Sequence, residues 1–218
     1  MPEKIKILLV DDHPLVLEGL ANLIRQQPDF EICGEAGSEP QALELIASLQ
    51  PRIAIVDISL ENGSGIELTR HIKALHPAVA VLVLSMHDES LYAERALRAG
   101  ARGYIMKREA AKKIILGIRT VLAGQLFVSD KIATLMTEKF IAGGSAAASP
   151  IEQLSNRELE VFQLLGLGHS TRQIADHLHV GFKTVQAYSA RIKEKLQLAN
   201  ATELLREAMR WHESRQSK

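Results

Sequence analysis

Asp11 and Asp12 close the run Ile5-Lys6-Ile7-Leu8-Leu9-Val10, and Asp57 closes Ile53-Ala54-Ile55-Val56. Short aliphatic runs bounded by polar residues have the pattern of strands buried on both faces of a parallel sheet. Neighbouring parallel strands bring the three carboxylates to one edge. Clustered anions repel unless a cation lies among them, and hard oxygen ligands with this much charge suit Mg2+. Two more runs end with useful chemistry: Val79 to Leu84 is followed by Ser85, and Gly103-Tyr104-Ile105-Met106 by Lys107. Carboxylates, Mg2+, a hydroxyl and an ammonium together can hold a phosphoryl group. Each residue alone has an ordinary structural use, since Asp12 or His13 before Pro14 can cap a helix and Asp57 can simply end a strand. Four strand ends with matched chemistry in one chain favour the phosphoryl site.

The segments between these runs must position them. Helical patterns are expected over 14–26, 40–49, 65–75, 90–99 and 110–123, with Ser38 and Gln41 as a capping box and Ser64 as a cap. Strand and helix alternate five times, which argues for a parallel sheet covered by helices on both sides. Residues 129–142 read as another amphipathic helix, with Ile132, Leu135, Met136 and Phe140 on one side. The small, uncharged stretch 142–150 that follows reads as a flexible linker. The expected division is 1–126, a linker with helix at 127–150, and a second domain over 151–218. That last domain is patterned as helix only. Ser155 with Glu158 and Ser170 with Gln173 form capping boxes that open two short helices. A longer helix is expected over 182–196 and a last one from 200 or 201. Two short helices joined by a Gly-containing turn fit a helix-turn-helix.

At 218 residues, 46% of them hydrophobic, the chain can fill two modest cores. Lys and Arg total 26, as do Asp and Glu, so net charge does not mark a nucleic-acid binder. Locally, 169–197 carries five basic residues against two acidic ones. Cys33 is the only cysteine, which rules out an intrachain disulfide and suits a reducing cytoplasm. It sits in an expected strand and reads as a small core residue. The first apolar stretch is too short for a signal peptide, and no segment approaches the roughly 18 apolar residues of a membrane span. The expectation is a cytoplasmic protein with no membrane partner.

Asp11-Asp12, Asp57, Ser85 and Gly100-Ala101-Arg102-Gly103-Tyr104-Ile105-Met106-Lys107 resemble the receiver domain of two-component response regulators, over residues 4 to 124. Leu154-Ser155-x-Arg157-Glu158-x-Glu160-Val161, Gly168-x-Ser170-Thr171-x-Gln173-Ile174-Ala175-x-x-Leu178, Lys183-Thr184-Val185 and Lys195-Leu196 resemble the LuxR-type DNA-binding domain. Together they resemble a full-length response regulator of the NarL/FixJ type. The resemblance implies a flavodoxin-like doubly wound receiver with sheet order 2-1-3-4-5, followed by an all-α four-helix helix-turn-helix domain. It implies phosphorylation of Asp57 by a sensor histidine kinase, with Mg2+ held by Asp11, Asp12, Asp57 and the Ser59 backbone carbonyl. Lys107 and Ser85 would then hold phosphoryl oxygens, with Ser85 and Tyr104 as the switch pair. Ser59 and His87 would flank the path of an attacking water.

In the second domain, Ile174, Ala175, Leu178, Val180, Val185, Ile192 and Leu196 have the spacing of a shared core. That leaves Lys183, Gln186, Ala187, Ala190, Arg191, Lys193 and Lys195 for double-stranded DNA, with Thr184 in the same motif. Lys and Arg attract phosphates, Gln can pair with adenine and Ala can touch a thymine methyl. Leu204, Leu205, Ala208 and Met209 give the last helix an apolar stripe for a homodimer formed on phosphorylation. The chain departs from the family where Leu60-Glu61 replaces a common Met-Pro, where Gly181 replaces a capping serine, and where Tyr188 replaces a frequent histidine. Two other readings compete. A dehalogenase-type phosphatase needs Asp-x-Asp, which Asp57-Ile58-Ser59 lacks. A receiver serving only as a dimerisation scaffold does not need the intact acidic set. The expected class is a transcriptional regulator, not an enzyme acting on a separate substrate.

Overall fold

The computed structural model describes residues 4–60, 63–141 and 150–216. The chain divides into two compact units, Met1–Ile141 and Ala142–Lys218. The expected flexible segment at 142–150 lies outside the described residues except for Pro150, and so do Glu61 and Asn62.

In the first unit β1 (Ile5–Val10), β2 (Phe30–Ala36), β3 (Ile53–Asp57), β4 (Ala80–Ser85) and β5 (Gly103–Met106) form one sheet. All pairings are parallel and the order is β2-β1-β3-β4-β5, as expected. The helices between them are α1 (Pro14–Arg25), α2 (Glu39–Leu49), α3 (Gly65–Leu75), α4 (Glu89–Ala99) and α5 (Ala110–Leu122). Alternation along the strands decides which helix each side chain meets. Ile7, Leu9, Ile53, Ile55, Leu82, Leu84 and Ile105 join Leu20, Ala21 and Ile24 of α1 and Ile114, Ile118 and Val121 of α5 in one core. Leu8 faces the other way, towards Leu45 and Leu49 of α2 across Gly34. β3 is buried along its whole length, which explains its unbroken apolar run.

Some local expectations change. Ser38 makes no capping bond; the Gln41 side chain instead accepts from the Gly37 backbone N–H at 3.0 Å. Cys33 is half-buried at a register shift of the edge strand, with Sγ 3.4 Å from the Ile7 carbonyl, and is not a core residue. Phe127 and helix α6 (Asp130–Ile141), read from the sequence as the start of a linker, fall within the first unit. Tyr104 N–H donates to the Phe127 carbonyl at 2.8 Å and Phe127 N–H to the Arg102 carbonyl at 2.9 Å, so Phe127 covers the open edge of β5. Lys139 of α6 pairs with Glu94 of α4 at 2.5 Å. Of the expected α6 stripe only Ile132 is buried, while Phe140 is 85% exposed.

The second unit is helical among its described residues: α7 (Asn156–Gly166), α8 (Thr171–His177), α9 (Phe182–Leu196) and α10 (Ala201–Gln216). Both expected capping boxes form, at Ser155–Glu158 and Ser170–Gln173. Ile174, Val185, Ile192, Leu204 and Ala208 are buried, and Trp211 packs against Phe162 with ring centroids 5.6 Å apart. Leu178, Val180 and Leu196 lie at the margin of this core, half-buried.

Candidate functional site

The parallel order puts the ends of β1 and β3 side by side, and the three acids follow from that. Asp11 and Asp57 are buried, and Asp12 is partly buried beside them. Lys107, just beyond β5, reaches across to both: its Nζ lies 2.6 Å from Asp11 Oδ2 and 2.8 Å from Asp57 Oδ2. Burial pushes the Asp57 carboxyl up to about 6; Lys107 pulls against this, while Asp11 and Asp12 add to the rise. Burial opposes the Lys107 charge as well, but the two carboxylates outweigh it and hold its pKa above the ordinary lysine range.

His13 was not singled out by its type or spacing, yet it belongs to the same edge. Its backbone N–H donates to Asp11 Oδ1 at 3.0 Å, and its Nδ1 lies 2.8 Å from Asp12 Oδ1. Asp11, Asp12, His13 and Asp57 each offer a ligand atom within 4.8 Å of the others. Asp11 Oδ2 and Asp12 Oδ1 are buried without a well-aligned hydrogen bond, facing the Lys107 ammonium and the His13 ring. Buried carboxylate oxygens left in that state fit a small hard cation.

Gly65 is a second residue the sequence did not flag. A Cβ there would lie 1.8 Å from the Asp57 carbonyl oxygen, because its N–H closes a 2.8 Å bond to Ile58 O at the base of the loop. That loop is a short hairpin, Ser59–Leu60 against Gly63–Ser64. It aims Ser59 Oγ at His87 Nε2, 2.7 Å away. The rest of His87 is also held. Its N–H donates to Ser85 Oγ at 2.9 Å, its carbonyl accepts from the Tyr104 hydroxyl at 3.0 Å, and its ring stacks on Tyr92. Tyr104 is buried, and burial raises its phenol pKa above the ordinary range.

In the second unit, Lys183, Thr184, Gln186, Ala187, Ala190 and Arg191 are exposed on α9, and Lys193 is half-buried. Val185 and Ile192 turn inward and fix that face. Lys195, counted among the free cations from sequence, is occupied: its Nζ lies 2.6 Å from Glu158 Oε2 and donates to the Gln153 carbonyl at 3.2 Å. Burial alone would raise the Glu158 pKa, but the bonds from Lys195 and Ser155 hold it below the ordinary carboxylate range. The α10 stripe divides. Leu204 and Ala208 belong to the domain core, whereas Leu205 (40%) and Met209 (43%) are exposed on a shallow groove with Arg206 and Arg210. Among the described residues no helix is long and apolar enough to cross a membrane.

Comparison with known proteins agrees with both halves of this picture. Residues 7–119 match the response regulator receiver domain, and residues 152–208 match the luxR family of bacterial regulatory proteins. The oxygen regulatory protein NreC of Staphylococcus epidermidis is 32% identical over 94% of this chain and 97% of its own length. Its Staphylococcus aureus counterpart is likewise 32% identical over 94% of this chain. Among solved structures, a two-component response regulator of the LuxR family from Aurantimonas sp. SI85-9A1 is 35% identical with a TM-score of 0.59, covering 64% of this chain and 99% of that one. RcsB from Salmonella enterica serovar Typhimurium, bound to the promoter rprA with the phosphomimetic BeF3-, covers 94% of this chain and 98% of its own at 25% identity and a TM-score of 0.58.

Proposed function

Because the chain belongs to the NarL/FixJ type of two-component response regulators, we propose that Asp57 accepts a phosphoryl group from a sensor histidine kinase and so controls dimerisation and promoter binding. One observation carries this reading: the buried Asp57 carboxylate sits on Lys107, beside two acidic oxygens that lack well-aligned hydrogen bonds. An Asp57 carboxylate oxygen attacks the phosphorus of a phosphohistidine, the new O–P bond forms, and the N–P bond to the imidazole breaks. Lys107 moves from carboxylate to phosphoryl oxygen, and Ser85 offers its hydroxyl to another. Asp11, Asp12, Asp57 and the Ser59 carbonyl are the residues that would hold Mg2+, which when bound neutralises charge on the phosphoryl oxygens. Ser85 and Tyr104 both hydrogen-bond to residue His87, which supports their pairing as the switch.

DNA contact is assigned to the exposed face of α9. Gln186, Ala187 and Ala190 read bases, and Lys183, Thr184, Arg191 and Lys193 meet the backbone. Leu205 and Met209 supply the exposed part of a homodimer contact, and the setting is cytoplasmic. The protein is a transcriptional regulator whose only chemistry is on its own aspartate. Labelling with acetyl phosphate tests the proposal. Incorporation should need Mg2+ and vanish in Asp57→Ala; full labelling of that variant, or in excess chelator, would overturn it.

A further inference from the structure

At the opposite end of the sheet from Asp57, the start of β3, the turn before β4 and the ends of α3, α4 and α5 line a half-open surface cavity of about 260 Å3. Arg52, Lys73 and Arg102 line it, and no acidic side chain does. Among the described residues, none of the three pairs with a carboxylate. Part of their charge has a structural use. Lys73 lies in the last turn of α3, and an Arg102 Nη donates to the Gly124 carbonyl just past α5. Cations are favoured at such helix ends. Arg52, on the loop before β3, has no such use, so the cavity keeps an excess of positive charge. Pro77, Val121 and Leu122 form apolar wall beside it.

We infer that this cavity is a binding site for a small soluble phosphorylated anion, separate from the acidic edge. Guanidinium groups match phosphate oxygens two at a time, and Arg102 is already oriented by its bond to Gly124, with other N–H donors left over. Ligand pockets for drug-sized molecules start at about 300 Å3, so the smaller volume here selects a compact polyanion. The concave wall favours a free anion over a lipid headgroup.

Pyrophosphate titrated into the full-length protein, in chelator and at constant ionic strength, tests this by amide NMR. Saturable shifts are expected at Ala78, Gly100 and Gly124, weakened at least tenfold in the Arg52→Gln/Lys73→Gln double variant. These substitutions are at exposed positions and remove both charges. A pyrophosphate-dependent rise in melting temperature, lost in the same variant, is expected in parallel. The inference is overturned by absence of saturation, by shifts confined to the Asp57 edge, or by equal binding in the variant. Co-sedimentation with phosphatidylglycerol vesicles that depends on Arg52 and Lys73 would overturn the soluble-ligand assignment.

Discussion

The carboxylate of Asp57 is held ready at a cost in stability. Its pKa stands at about 6 against 3.8 unperturbed, so folding binds a proton more tightly than the unfolded chain does. The cost is absent well below 3.8, where both states are protonated, grows as pH rises from there towards 6, and levels off above it. It reaches on the order of 3 kcal/mol at neutrality. Asp57→Asn should therefore flatten the loss of stability between pH 4 and 7 in urea denaturation with chelator present. Identical pH profiles for the two proteins would contradict this. Ser59 and His87 bear on how long a phosphoryl group lasts. Their 2.7 Å contact lies beside the acceptor without supplying any charge that Asp57 requires. Replacing both should change the dephosphorylation rate and leave uptake intact; an unchanged rate removes their role. The acids and Lys107 were legible in sequence because each ends an apolar strand, and strand order alone brings them together. His13 and Gly65 were not. Contacts from a capping residue, and the closeness of one backbone to another, exist only once the loop is folded.

Helices and turns explain how the residues stay in place. Gly65→Ala forces a methyl group into the Asp57 carbonyl. The turn must open, at about 1–3 kcal/mol for an overpacked site. The test is acetyl-phosphate labelling beside denaturation: both uptake and stability should fall, and wild-type behaviour in both would refute the close approach. In the second unit, the Lys195–Glu158 pair ties α9 to α7. Lys195→Ala leaves a buried carboxylate short of a partner and should cost about 1–3 kcal/mol. Gln186→Ala, on the exposed face, should spare stability and relax preference at one base position, by about 1–3 kcal/mol in a site-selection experiment. Two of the three expected capping boxes form because Ser-x-x-Glu and Ser-x-x-Gln act locally. The third, at Ser38, fails because the Gln41 side chain bonds Gly37 instead. The packing of α6 against α4 was beyond sequence reasoning for a related reason. Its stripe of apolar residues says that a surface exists, and only the tertiary pairing of Lys139 with Glu94 says which surface it meets.

At the scale of the molecule, zero formal net charge makes the proposed DNA contact depend on a local basic face, and on doubling of that face in the proposed dimer. Of the proposed α10 stripe, Leu205 and Met209 are exposed for that contact, since Leu204 and Ala208 are buried inside the domain. In this reading phosphorylation of Asp57 controls that assembly. Sedimentation of the full-length protein with promoter DNA, with and without acetyl phosphate and Mg2+, tests it most directly. Wild-type protein should pass from monomer to dimer and bind more tightly only with the phosphodonor, and Asp57→Ala should do neither. A monomer under every condition, or equal dimerisation and binding in the variant, would contradict the account.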